Sequence, residues 1–153
     1  MTIRTLLLLL MAPLVALAQP RFDLATTVTR LPKTVLPSHV QLTLDADPAL
    51  DTFSGQVRIQ LRALQAVPAI VLHAQALQAD AAEIVRAGGR PRTLSVLPDA
   101  KTQTWRLVPT DGRPIGAGAW TLHMRYRGQV QTTGEGLYRA EYKINGVPTR
   151  MLA

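Results

Sequence analysis

Three histidines, His39, His73 and His123, are the side chains of this sequence best suited to binding a transition metal or moving a proton near neutral pH. They stand far apart, and none has the His-Glu-x-x-His spacing that sets two ligands on one face of a helix. The chain has no cysteine, so a zinc ion would need histidines and carboxylates gathered by folding alone. His39 and His123 fall at polar positions of alternating segments and are expected to be exposed. His73 closes an apolar run and is expected to be half-buried with its polar atoms satisfied. Asp45, Asp47 and Asp51 offer oxygen ligands of the kind calcium takes. Their stretch lacks the mid-loop glycine and closing glutamate of an EF-hand, which makes them turn residues. Gly116-Ala117-Gly118 is not a phosphate loop, because no Gly-Lys-Ser/Thr follows it and no helix is expected there. No serine lies in a Gly-x-Ser-x-Gly elbow. The sequence therefore assigns no catalytic, cofactor-binding or metal-binding residue.

The elements that would have to position any site are strands. Val40, Leu42 and Leu44 alternate with His39, Gln41 and Thr43. Phe53, Val57, Ile59, Leu61 and Ala63 alternate with Ser54, Gln56, Arg58, Gln60 and Arg62, a period of two that belongs to a half-buried strand. Further strands are predicted over Ala69–His73, Leu77–Val85, Thr93–Leu97, Thr102–Val108 and Leu137–Ile144, and through the alternation of Trp120, Leu122, Met124 and Tyr126. Leu77–Val85 would also tolerate a helix, but Gly88-Gly89 closes it as a strand turn. Pro98-Asp99-Ala100-Lys101 is read as a hairpin turn. Asn145-Gly146 carries the strongest two-residue hairpin signal. Many short strands at this spacing predict an all-β fold, an antiparallel two-sheet sandwich or saddle. The domain is expected over residues 38–153, after an extended lead-in over 19–37 that Pro32 and Pro37 interrupt. The return strand from Val147 reaches Ala153 with no turn or cap after it, so the domain is expected to be incomplete at that end.

Bulk properties narrow the function classes. The formal charge of +7 and pI near 10.8 would suit a nucleic-acid binder. However, the arginines are spread singly from Arg21 to Arg150 and aromatics are few, so neither a basic patch nor a stacking platform is expected. Residues 1–18 begin with a basic start, continue through the apolar run Leu6–Leu17 and end in the small-x-small pattern Ala16-Leu17-Ala18. That order predicts a secretory signal cleaved near Ala18-Gln19, hence an exported, periplasmic or secreted protein. The apolar run is shorter than the ~20 residues that span a bilayer, so no stable membrane insertion is expected.

Certain residues also resemble a known family. Arg30-Leu31-Pro32 with Pro37, then Val40-Gln41-Leu42-Thr43-Leu44, is similar to the opening of M1-family zinc aminopeptidases. So are Thr52-Phe53-Ser54-Gly55 running into Val57-Arg58-Ile59, Ile70-Val71-Leu72-His73-Ala74 followed by Leu77, and Gly136-Leu137-Tyr138-Arg139. Val40 departs from the pattern, which often has an aromatic there. The resemblance covers nearly all the chain after the signal. It implies an aminopeptidase N-type N-terminal β domain that packs against a thermolysin-like catalytic domain and helps wall its substrate cavity. The implied full-length enzyme is a zinc metallopeptidase releasing N-terminal residues from peptides. Its zinc motif, its Gly-Ala-Met-Glu-Asn loop and the N-domain's Thr-Gln-x-Glu/Gln stretch are not in this sequence. No functional residue is carried over, no cofactor is expected in this chain, and Tyr138 and Arg139 are assigned to strand packing and a solvent-facing charge.

The expected role is thus non-catalytic support, with the catalytic domain as partner and peptides met only through the full enzyme. The alternative from another class is a stand-alone exported β module with a binding or structural role. A weaker third reading, resting on charge alone, is a binder of acidic ligands.

Overall fold

The computed structural model describes residues 31–153. The signal peptide and the first part of the lead-in fall outside them. Nine strands follow one another: β1 (Val35–Ala46), β2 (Thr52–Ala63), β3 (Ile70–His73), β4 (Leu77–Val85), β5 (Arg92–Asp99), β6 (Thr104–Pro109), β7 (Gly118–Gln129), β8 (Arg139–Ile144) and β9 (Val147–Leu152). Among the described residues there is no helix. The all-β, antiparallel expectation holds, and Leu77–Val85 is a strand.

Seven strands form one antiparallel sheet in the order β1-β2-β7-β4-β5-β6-β3, and β8 and β9 form a separate hairpin. The two layers of the domain are halves of that one sheet. Strand β5 makes the corner: Arg92 and Thr93 pair with β4, whereas Leu94–Asp99 pair with β6. Inward residues from both halves then meet in one core that includes Leu61, Ile84, Leu122 and Met124 from the wider layer. Ile70, Leu94, Trp105 and Leu107 supply the facing layer. Ile115, from the β6–β7 connection, is fully buried and exchanges 2.9 Å backbone hydrogen bonds with Val67.

Period two decides which residues turn inward, because successive side chains of a strand point to opposite faces. On β2 the face carrying Phe53, Val57, Ile59 and Leu61 packs inward while Gln56, Arg58 and Gln60 stay in water. Gly55 belongs to this inward face. A Cβ there would stand 2.5 Å from Cζ of Tyr126, so the strand needs a residue without one. Tyr126 in turn meets Phe53 edge-on, with ring centroids 6.4 Å apart.

Three boundaries differ from the sequence reading. Strand β1 begins at Val35, because β2 is long enough to pair Ala63, Arg62 and Leu61 with Val35, Leu36 and Pro37; a bulge between Pro37 and His39 restores register. Strand β5 continues through Asp99, whose carboxylate accepts the amides of Lys101 and Thr102 and so moves the turn forward, with Gln103 at φ 53°. Strand β8 begins at Arg139 because Leu137 and Tyr138 are engaged by Gln131 and Ala153. The hairpin at Asn145-Gly146 stands where expected, with φ of 50° and 82° that a two-residue turn requires.

Candidate functional site

Three surfaces of the domain could meet another molecule: the polar face of the wider layer, the open mouth between the layers, and the β8–β9 hairpin.

Cross-strand register builds the first. Gln41 stands opposite Arg58, Arg58 opposite His123, His123 opposite Glu83, and Glu83 opposite Thr93. These side chains form one row across β1, β2, β7, β4 and β5, lining a shallow depression of about 670 Å³ with Gln56 and Arg125 beside them. Asp80 at its rim is held by Arg127, Nε to Oδ1 2.9 Å. The row offers hydrogen-bond donors and acceptors of both charges but no nucleophile, so it suits polar recognition and not bond cleavage.

The second is apolar. The facing layer is only three strands wide and does not reach β1, which leaves Val40, Leu42 and Leu44 43–55% exposed. Where β1 and β2 stand apart from β3, a groove of about 610 Å³ opens between Val35, Val40, Ile59, Ile70 and Leu72.

The third is held by Arg139. Its side chain is 14% exposed, with Nε donating to the Pro48 carbonyl at 2.9 Å, Nη2 to the Leu50 carbonyl at 2.6 Å, and Nη1 2.9 Å from Asp51. This overturns the reading of Arg139 as a solvent-facing charge: the β1–β2 turn presents carbonyls that only a forked cation can collect together. No signal in the sequence marks the contact, because most of its acceptors are backbone atoms.

The histidines are not brought together. His39 lies exposed on β1 opposite Gln60, and His123 lies on β7 between Arg58 and Glu83. Two exposure expectations change. His73 is exposed, because it ends the short edge strand β3, and His123 is half-buried, because β7 has strands on both sides. The aspartates act in turns: Asp47 accepts the Ala49 amide at 2.8 Å, and Asp51 pairs with Arg139. Around Gly116-Ala117-Gly118 the polarity is opposite to that of a phosphate cradle. Arg86 donates to the Ala117 carbonyl and lies 4.8 Å above the Trp120 ring, whose Nε1 donates to Gly116 at 2.8 Å. Beside it Arg92 grips both oxygens of Asp111, at 2.7 and 2.9 Å. The Arg92 bonds and the Arg113 amide hold the Asp111 carboxyl well below the ordinary carboxylate range. Burial pushes the Tyr126 phenol up, which keeps it protonated.

Among the described residues no three of His, Asp and Glu converge, so the zinc implied by the resemblance finds no ligand set here. Among them, too, no helix is long and apolar enough to cross a membrane.

Comparison with known proteins gives this geometry its context. Human endoplasmic reticulum aminopeptidase 1 is 28% identical over 127 residues, covering 81% of this chain and 13% of that protein. Aminopeptidase M1-D of Oryza sativa subsp. japonica is 29% identical over 122 residues, covering 80% of this chain and 14% of that protein. The chain spans only a small part of either relative's length. The peptidase M1 N-terminal domain, described as a family, matches residues 36–153, the whole stretch from β1 through β9. An antiparallel β domain that matches over its entire length belongs to the peptidase M1 N-terminal domain family.

Proposed function

We propose that this chain serves as the non-catalytic N-terminal domain of an exported zinc aminopeptidase, docking on a catalytic domain and walling its substrate cavity. The family match over residues 36–153 carries this reading. It is supported by surfaces that offer recognition without a nucleophile or a ligand set, and by apolar side chains left without cover. Hydrolysis is assigned to the catalytic domain, and the β domain contributes shape and support.

The test is the reading frame beyond the codon for Ala153. It is expected to continue through Thr-Gln-x-Glu/Gln and Gly-Ala-Met-Glu-Asn to His-Glu-x-x-His. The polypeptide it encodes is expected to hydrolyse an aminoacyl-arylamide with zinc, and the 153-residue chain alone to be inactive with or without it. A stop codon after Ala153, with the chain found at this size in cells, overturns the proposal; so does zinc-dependent hydrolysis by the chain alone. Export is checked by N-terminal sequencing of the mature protein, which should begin at Gln19.

A further inference from the structure

The β8–β9 hairpin has two unlike faces. Its register pairs Ala140 with Met151, Tyr142 with Thr149 and Ile144 with Val147 on one face. On the other face Arg139 pairs with Leu152, Glu141 with Arg150 and Lys143 with Pro148. The second face is the one turned to its own domain. Arg139 binds Pro48, Leu50 and Asp51, and Glu141, Pro148 and Arg150 border a cleft with Asp47, Pro48 and Ala49. The first face is therefore directed away from the domain. Tyr142, Ile144, Val147 and Met151 on it are 41–64% exposed.

Single exposed apolar residues are ordinary, but here four large ones share one face of two paired strands. A two-stranded hairpin is at best marginally stable in water and needs a covered face. Strand addition at the edge is a poor solution. Lys143–Pro148 is the pair next to that flanking the two-residue turn, so the N–H that Pro148 lacks would have pointed to the free edge. Face packing remains. The matched stretch is 13–14% of the relatives' lengths, so in such proteins most of the polypeptide lies outside the domain and can supply the cover.

We infer that the apolar face of the β8–β9 hairpin, centred on Ile144 and Val147, is the docking surface for the domain that follows in the same polypeptide, with Arg139 setting the hairpin's angle. This rests on the proposed function and assigns the surface through which that function is built.

The test uses the full polypeptide encoded by the gene, with a photo-crosslinking benzoylphenylalanine at position 144. The expected product is an intramolecular crosslink to residues beyond 153. Ile144→Asp is expected to lower arylamide hydrolysis by about tenfold or more and to open the junction to protease, whereas Leu97→Asp, an exposed apolar site on β5, leaves both unchanged. A crosslink confined to residues 31–153, a crosslink to a second copy, or equal behaviour of the two variants overturns the inference. An active full-length enzyme with any of those results sinks the docking surface alone. A frame without zinc motifs sinks the proposed function and this inference with it.

Discussion

Replacing Arg139 by methionine should release the β8–β9 hairpin while leaving the seven-stranded sheet folded. The guanidinium makes two charge-assisted bonds to backbone carbonyls, at 2.6 and 2.9 Å, and its side chain is 14% exposed. Bonds of that type contribute roughly 1.5–3 kcal/mol each. The third contact, to Asp51, adds at most about 1 kcal/mol, because Asp51 is 82% exposed and its charge is screened. The three share one side chain and do not add fully. A loss of about 2–4 kcal/mol in hairpin docking follows, which is about a 30- to 700-fold rise in local opening at about 1.4 kcal/mol per tenfold. Amide hydrogen exchange reads this directly, since hairpins open as units below the global stability. Protection of the β8 and β9 amides should fall by that factor, while Leu122 and Met124, buried on β7, keep theirs. Arg139→Lys should recover only part, because one ammonium cannot reach all three acceptors. Unchanged hairpin protection would refute the reasoning, as would an equal loss in β7.

Three further outcomes are expected. Leu107→Ala removes a fully buried side chain from the facing layer and should cost about 2–5 kcal/mol in denaturant unfolding; a change under about 1 kcal/mol would mean that the layer relaxes into the gap. Gly55→Ala forces a Cβ against the Tyr126 ring and should destabilise by about 1–3 kcal/mol, seen as a lower midpoint of thermal unfolding, with no change meaning that the ring can move aside. The carboxyl of Asp111 titrates lower in the folded chain than its ordinary value of 3.8, so its contribution is present above that pH and is lost as pH falls below it. Asp111→Asn should therefore flatten the acid side of the stability–pH curve, and a variant as acid-sensitive as the parent would contradict the role given to the Arg92 pair.

The periodicity of the sequence carries the strands because alternation is a property of neighbours. Phe53 to Ala63 could pack on only one side, and Asn145-Gly146 could take the positive φ of a tight turn, whatever lay elsewhere in the chain. Fold class, strand order along the chain and the lack of a spaced catalytic set were legible for the same reason. The family resemblance was legible too, since it runs through residues adjacent in sequence. Tertiary structure alone decided the rest. That β5 turns a corner, so that one sheet makes both layers, depends on which partner each half of it meets. That Val40, Leu42 and Leu44 remain exposed despite their alternation depends on the width of the layer opposite. The Gln41–Arg58–His123–Glu83 row depends on register between strands distant in sequence. Arg139 is the clearest case, because its partners include the carbonyls of Pro48 and Leu50. Every residue has a carbonyl, so side-chain identity could not mark these as acceptors, and only the folded path of the chain brings them to the guanidinium.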